Sequence, residues 1–118
     1  MKPVIVKFER EAYEEYKKLQ NSIDKSKNKP TNKQLLFSID NAINNIKLNP
    51  YYGNLIPKKY LTSKVIDKYG TNKILRVELV GYWRLLYTLI GDEARIIAFV
   101  LEYMSHKNYD TLFGYKKK

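Results

Sequence analysis

The 118-residue chain has no cysteine and a single histidine, His106. Lack of cysteine excludes disulfides, thiolate catalysis and zinc sites of the cysteine type. One histidine excludes a histidine-rich metal site. No apolar run approaches the roughly 18 residues of a membrane span. The start, MKPVIVKFERE, turns acidic at once and lacks the apolar stretch of a signal peptide, so the expected location is the cytoplasm. Acidic residues are also scarce, 12 against 22 Lys and Arg, for a net charge of +10. Small domains commonly carry roughly 2–8 charges for solubility, and this chain exceeds that range. The excess is spread evenly, +4 over residues 1–50 and +6 over residues 51–118, so it is not a basic tail on a neutral domain. Such a body attracts polyanions from any direction, which favours a nucleic acid as partner over an anionic membrane surface.

What is present suits one domain, spanning 1–118, with no internal repeat. Val4 to Phe8 is β-branched and aromatic and predicts a short strand. The period then changes. Ala12, Tyr16, Leu19 and Ile23 recur at helical spacing, with Glu9 and Glu11 at the positive end of the helix dipole and Glu14 and Lys18 as an i,i+4 pair. This helix should end near residues 25–28. Pro30 marks a break, and Thr31 with Gln34 matches a capping box. Leu35, Leu36, Ile39, Ala42, Ile43 and Ile46 follow on one face, until Asn49-Pro50 stops the second helix.

Residues 51–72 read as irregular. They mix Tyr51, Tyr52, Tyr60 and Tyr69 with Lys58, Lys59, Lys64 and Lys68, while Ile56, Leu61, Val65 and Ile66 argue against disorder. The last third predicts three strands, over 73–80, 83–90 and 95–103. Gly81-Tyr82 and residues 91–94 form hairpin connections, and the last residues, from Tyr115, form a basic tail. The expected fold is α+β: an N-terminal strand, an α-hairpin, then a three-stranded antiparallel meander, giving a four-stranded sheet with the hairpin packed on one face.

Arg84 stands in the apolar central strand, on the face opposite Trp83, Leu85 and Tyr87. An arginine there needs a partner or a purpose. Two readings fit it: an ion pair with Glu78 or Glu102, or a phosphate clamp, which the guanidinium fork suits. Arg76 and Glu78 share one face of the preceding strand. A lone histidine is ordinarily a surface residue. His106, however, lies with Lys107 and Tyr109 just past the last strand, and such groups can move protons and hold phosphate without a metal.

The stretch YGTNKILRVELVGYWRLLYTLIGDEARIIAFVLEYMSHKNYD resembles the C-terminal half of RelE/ParE superfamily toxins, above all in Trp83-Arg84-Leu85-Leu86-Tyr87 and in His106 to Tyr109. The first half agrees in its order of elements. The resemblance implies a ribosome-dependent mRNA endoribonuclease of a type II toxin–antitoxin pair, acting without metal or cofactor by 2′-hydroxyl attack on the adjacent phosphate. Its implied partners are a cognate antitoxin and mRNA on the ribosome. Carried over, Arg84 holds the scissile phosphate and Tyr109 stacks on or orients the substrate. Lys58, Lys59 and Arg76 are the substrate-binding candidates. The segment lacks the paired arginines of the best-known RelE proteins, which makes His106 or Lys107 the candidate general acid. The same resemblance admits a ParE-like gyrase inhibitor or a non-catalytic protein that binds RNA or an antitoxin.

Overall fold

The computed structural model describes residues 2–24, 30–91 and 94–114. Its elements are β1 (Val4–Phe8), α1 (Arg10–Asp24), α2 (Pro30–Leu48), β2 (Asn54–Leu55), a 3-10 turn (Lys58–Tyr60), α3 (Ser63–Tyr69), β3 (Leu75–Glu78), β4 (Arg84–Gly91), β5 (Ile96–Met104) and α4 (His106–Phe113). The protein is α+β. Its sheet, however, has five strands and is mixed, in the order β1-β5-β4-β3-β2.

The fifth strand corrects the expected four. Asn54 and Leu55 pair with Arg76 and Leu75 at the sheet edge. Two residues cannot show a period of two, so no alternation announced them. The meander β3-β4-β5 is antiparallel as the hairpin signals require, while β1 lies parallel to β5, Val4 opposite Ile96 through Phe8 opposite Val100. Such a pairing needs a long connection, and here everything from α1 to β4 lies between the two strands, the α-hairpin carrying the chain from β1 to β2 at the opposite edge of the sheet.

Side chains on the two faces of the sheet build two cores. On one face Leu75, Val77, Leu85, Tyr87, Ala98 and Val100 meet Leu35, Ile39, Ala42 and Ile46 of α2. Leu36, expected in this layer, and Ile43 are only partly buried, because the stripe that meets the sheet is narrow. On the other face Ile74, Leu86, Leu101 and Met104 meet Val65 of α3 and Tyr109 and Phe113 of α4. A β-bulge divides the register of β4 and β5. Leu86 faces Glu102 and Tyr87 faces Val100, leaving Leu101 as the extra residue.

Helix α3 replaces part of the irregular chain expected over residues 51–72, and α4 follows β5 where no element was expected. Each carries local signals. The Thr62 side chain accepts the Val65 N–H at 3.3 Å, and Gly70 ends α3 with φ +70. Ser105 accepts the Asn108 N–H at 3.3 Å, and Gly114 ends α4 with φ +74. These are N-caps and left-handed C-caps of the usual chemistry.

At α1 the Glu9 carboxylate accepts the Glu11 N–H at 2.8 Å. The expected Glu14–Lys18 pair gives way to Arg10–Glu14 and Glu15–Lys18, all exposed. α2 runs from Pro30, so Thr31 lies inside its first turn rather than capping it, where proline's missing N–H does no harm. The expected end of α1 near residues 25–28, residues 92 and 93 of the second hairpin connection, and the tail from residue 115 lie outside the described residues. Among the described residues no helix is long and apolar enough to cross a membrane.

Candidate nucleic-acid interface

Three of the residues singled out in the sequence converge on the sheet face opposite the α-hairpin. β3 and β4 place Arg76 opposite Leu86 and Glu78 opposite Arg84. α4 then lays Tyr109 across them, only 1% exposed. The Arg76 guanidinium donates to the Tyr109 hydroxyl at 3.0 Å. Both guanidinium carbons lie over the Tyr109 ring, that of Arg76 at 5.8 Å and that of Arg84 at 5.2 Å from its centroid. The ring quadrupole attracts cations at that range. One tyrosine thus fixes two positive charges side by side.

Arg84 is held at several points. Its Nη1 donates to the Tyr82 carbonyl at 2.7 Å, and its Nε lies 3.9 Å from a Glu78 carboxylate oxygen. That Nε is buried and makes no hydrogen bond among the described residues. The side chain is 12% exposed, against 59% for that of Glu78. Of the two carboxylates weighed as partners for Arg84, Glu78 is therefore the neighbour. Glu102 turns to α3 instead, where it accepts the Tyr69 hydroxyl at 2.6 Å and lies 3.9 Å from Lys68. Burial, the hydrogen bond and the charge of Glu102 together push the Tyr69 phenol well above its ordinary range.

His106 opens α4, one turn before Asp110, with its Nε2 3.3 Å from the Asp110 carboxylate. The imidazole is half exposed and its ring centroid lies 5.9 Å from that of Tyr82. A carboxylate beside an imidazole fixes its orientation, which is what a proton-transfer group requires. Lys107 is exposed beside it on α4. Lys58 and Lys59 are exposed on the 3-10 turn, with the Lys59 ammonium 5.2 Å from the Tyr60 ring. The structure thus gathers Arg76, Arg84 and Tyr109, sets His106 at the start of the same helix, and leaves Lys58 and Lys59 outside these contacts.

The placement of Tyr109 differs from the expected one. Its ring packs against Phe113 at 4.7 Å and belongs to the core. In this conformation it supports the arginines and offers no free face to a base. Two residues were missed. Asp110 stands four residues after His106, a spacing that becomes informative only once the segment is known to be helical. Tyr82 was read as turn only, and the residue is 71% exposed.

Elsewhere, a wide groove between α1 and the end of β5 is lined by Glu9, Glu11, Glu14, Glu15 and Glu102, with Lys18 and Lys68. Its carboxylates make it a poor seat for a polyanion. Among the described residues no group of three His, Cys, Asp or Glu side chains is arranged to hold a metal ion. Compared with known proteins, the chain matches no family model, no curated protein and no solved structure.

Proposed function

We propose that this chain is a metal-independent, ribosome-dependent mRNA endoribonuclease of the toxin–antitoxin kind, working in the cytoplasm. The observation that carries the reading is the juxtaposition of Arg84, largely buried and with its Nε not hydrogen-bonded among the described residues, with the His106–Asp110 pair around Tyr82. The net charge of +10 supplies the attraction for RNA. The 2′-hydroxyl attacks the neighbouring phosphorus and loses its proton. The 5′-oxygen leaves and takes one up, giving a 2′,3′-cyclic phosphate and a 5′-hydroxyl end. Negative charge builds on the phosphate oxygens, and Arg84, with Arg76 behind it, stabilises that charge. His106, oriented by Asp110, moves a proton, and Lys107 is the second candidate for that role. The ribosome positions the substrate, so activity on free RNA is weak. An acidic antitoxin covering Arg84 would offset the excess charge.

A second reading has its own support. Arg84 is tied to the Tyr82 carbonyl and Tyr109 is buried, so the same cluster serves as a structural brace in a non-catalytic binding protein of this fold.

Primer extension on mRNA programmed into ribosomes separates the two. Under the nuclease reading Arg84→Ala slows cleavage about 10²–10³-fold, and His106→Ala about 10²–10⁴-fold, at equal folded concentration. Wild-type protein that leaves the mRNA intact overturns the nuclease reading. If it then inhibits supercoiling by gyrase, a ParE-like role replaces it.

A further inference from the structure

Tyr82 occupies a costly position that the fold alone does not require. The β3-β4 hairpin turns through Gly81 and Tyr82, both with positive φ, +67 and +64, and the Trp83 N–H donates to the Val80 carbonyl at 3.3 Å. Such a two-residue turn is usual between twisted strands, and its two central positions favour Asn, Asp and Gly. A left-handed conformation is unfavourable for a bulky residue, and strain of this kind collects at functional sites. Tyr82 is the one described non-glycine residue with positive φ. Its ring gains little from burial, because 71% of the residue is exposed.

The surroundings of that ring are specific. Its own carbonyl accepts from Arg84 at 2.7 Å, which ties the turn to the guanidinium. Its ring centroid lies 5.9 Å from that of His106, tilted by 54°. An exposed aromatic plane therefore adjoins an imidazole at a helix start, and its own backbone carbonyl holds a cation suited to phosphate. Single-strand binding sites pair a cation for the phosphates with aromatic side chains that take bases of any sequence on their faces. We infer that Tyr82 is a stacking shelf for one nucleobase of single-stranded RNA, next to the phosphate that Arg84 contacts. This rests on the proposed reading of the site as RNA-binding. It assigns base contact to Tyr82, which is open to solvent, instead of Tyr109, which is buried.

The test measures binding without cleavage. The full chain is titrated with a short single-stranded RNA bearing 2′-O-methyl groups, which cannot make the attack. A matched set carries one abasic site at each position in turn. Affinity is read by fluorescence anisotropy at low salt. For wild type, one abasic position is expected to weaken binding about tenfold, within the range of a single stacked base. Tyr82→Gly suits the positive φ and keeps the turn. It should weaken the intact RNA by a similar factor and become indifferent to that abasic position, while Tyr82→Phe stays near wild type. The inference is overturned if Tyr82→Gly binds the intact RNA within twofold of wild type, if the abasic penalty survives in it, or if wild type binds no RNA. If the shelf behaves as expected but no mRNA is cut on ribosomes, the nuclease reading fails and the shelf stands.

Discussion

On the face that meets α1 and α2, the sheet offers Leu75, Val77, Leu85, Tyr87, Ala98 and Val100 and receives aliphatic side chains in return. On the face that meets α3 and α4, it interleaves Ile74, Leu86 and Met104 with Arg76, Arg84 and Glu102. The first face is almost wholly apolar. Its polar contacts are few and neutral at the centre, where the Tyr87 hydroxyl is satisfied by backbone, and a carboxylate enters only at the margin, where the Tyr16 hydroxyl donates to Asp40. The second face carries charge within its packing, held by Tyr109 and Tyr69. Buried polar groups cost stability unless they are satisfied. A fold that confines its buried charges to one face keeps the other free to hold the domain together.

Adjacent residues of β4 make the most direct test of that division. Leu85 points into the hairpin core and Leu86 into the α4 core, both 0% exposed. Leu85→Ala and Leu86→Ala should each lower unfolding free energy by about 2–5 kcal/mol in urea titrations. Their effects on RNA should differ. At equal folded concentration Leu85→Ala leaves RNA binding near wild type, whereas Leu86→Ala weakens it, because it removes packing beneath the residues that seat α4. Equal RNA effects from the two variants would break the comparison.

Single hydroxyls sharpen it. The Tyr87 hydroxyl donates to the Pro50 carbonyl at 2.7 Å and accepts the Gly53 N–H at 2.9 Å, tying the chain after α2 to the central strand. Gly53 sits so close that a Cβ there would come within 2.9 Å of both the Arg76 carbonyl oxygen and the Tyr87 ring. Tyr87→Phe should cost about 1–3 kcal/mol, since it strands both backbone groups. Tyr109→Phe should cost less, about 1 kcal/mol, because the partly exposed Arg76 can turn to water. It should still lower RNA affinity, which Tyr87→Phe should not.

The smallest effect is one of pH. Burial, before any other cause, raises the phenols of Tyr16, Tyr87 and Tyr103 on the hairpin side, Tyr103 to about 12, and that of Tyr69 on the other side. A group whose native pKa is raised stabilises the fold fully below its unfolded pKa, near 10 for tyrosine, and ceases to do so as pH climbs through the native value. Urea midpoints should therefore hold up to about pH 10 and fall between about pH 10 and 12. The fall should be shallower in Tyr87→Phe, which removes one such phenol from the hairpin side. A midpoint that stays flat across this range would show that these rings ionise as freely in the native protein as in the unfolded chain.

Much of the architecture follows from local pattern. The stripe through Leu35, Ile39, Ala42 and Ile46 specifies α2 and its buried face, and Gly81-Tyr82 specifies the β3-β4 hairpin. Periodicity and turn chemistry record what each residue's near neighbours require. The short elements escaped this reading. Two residues of β2 are too few to show alternation, and α3 and α4 have one or two turns in which only caps carry a signal.

For the candidate site, the sequence by itself set apart Arg84, as a charge in an apolar strand, and the cluster of His106, Lys107 and Tyr109 just past the last strand. Their arrangement came from the tertiary structure. Arg76 and Tyr109 are 33 residues apart, and they meet because α4 folds back over β3 and β4. That same packing buried Tyr109 and left Tyr82 exposed beside His106. A residue's type fixes which contacts it can make. Which of them it makes is set by the burial of distant segments, a property of the packed chain that no local window contains.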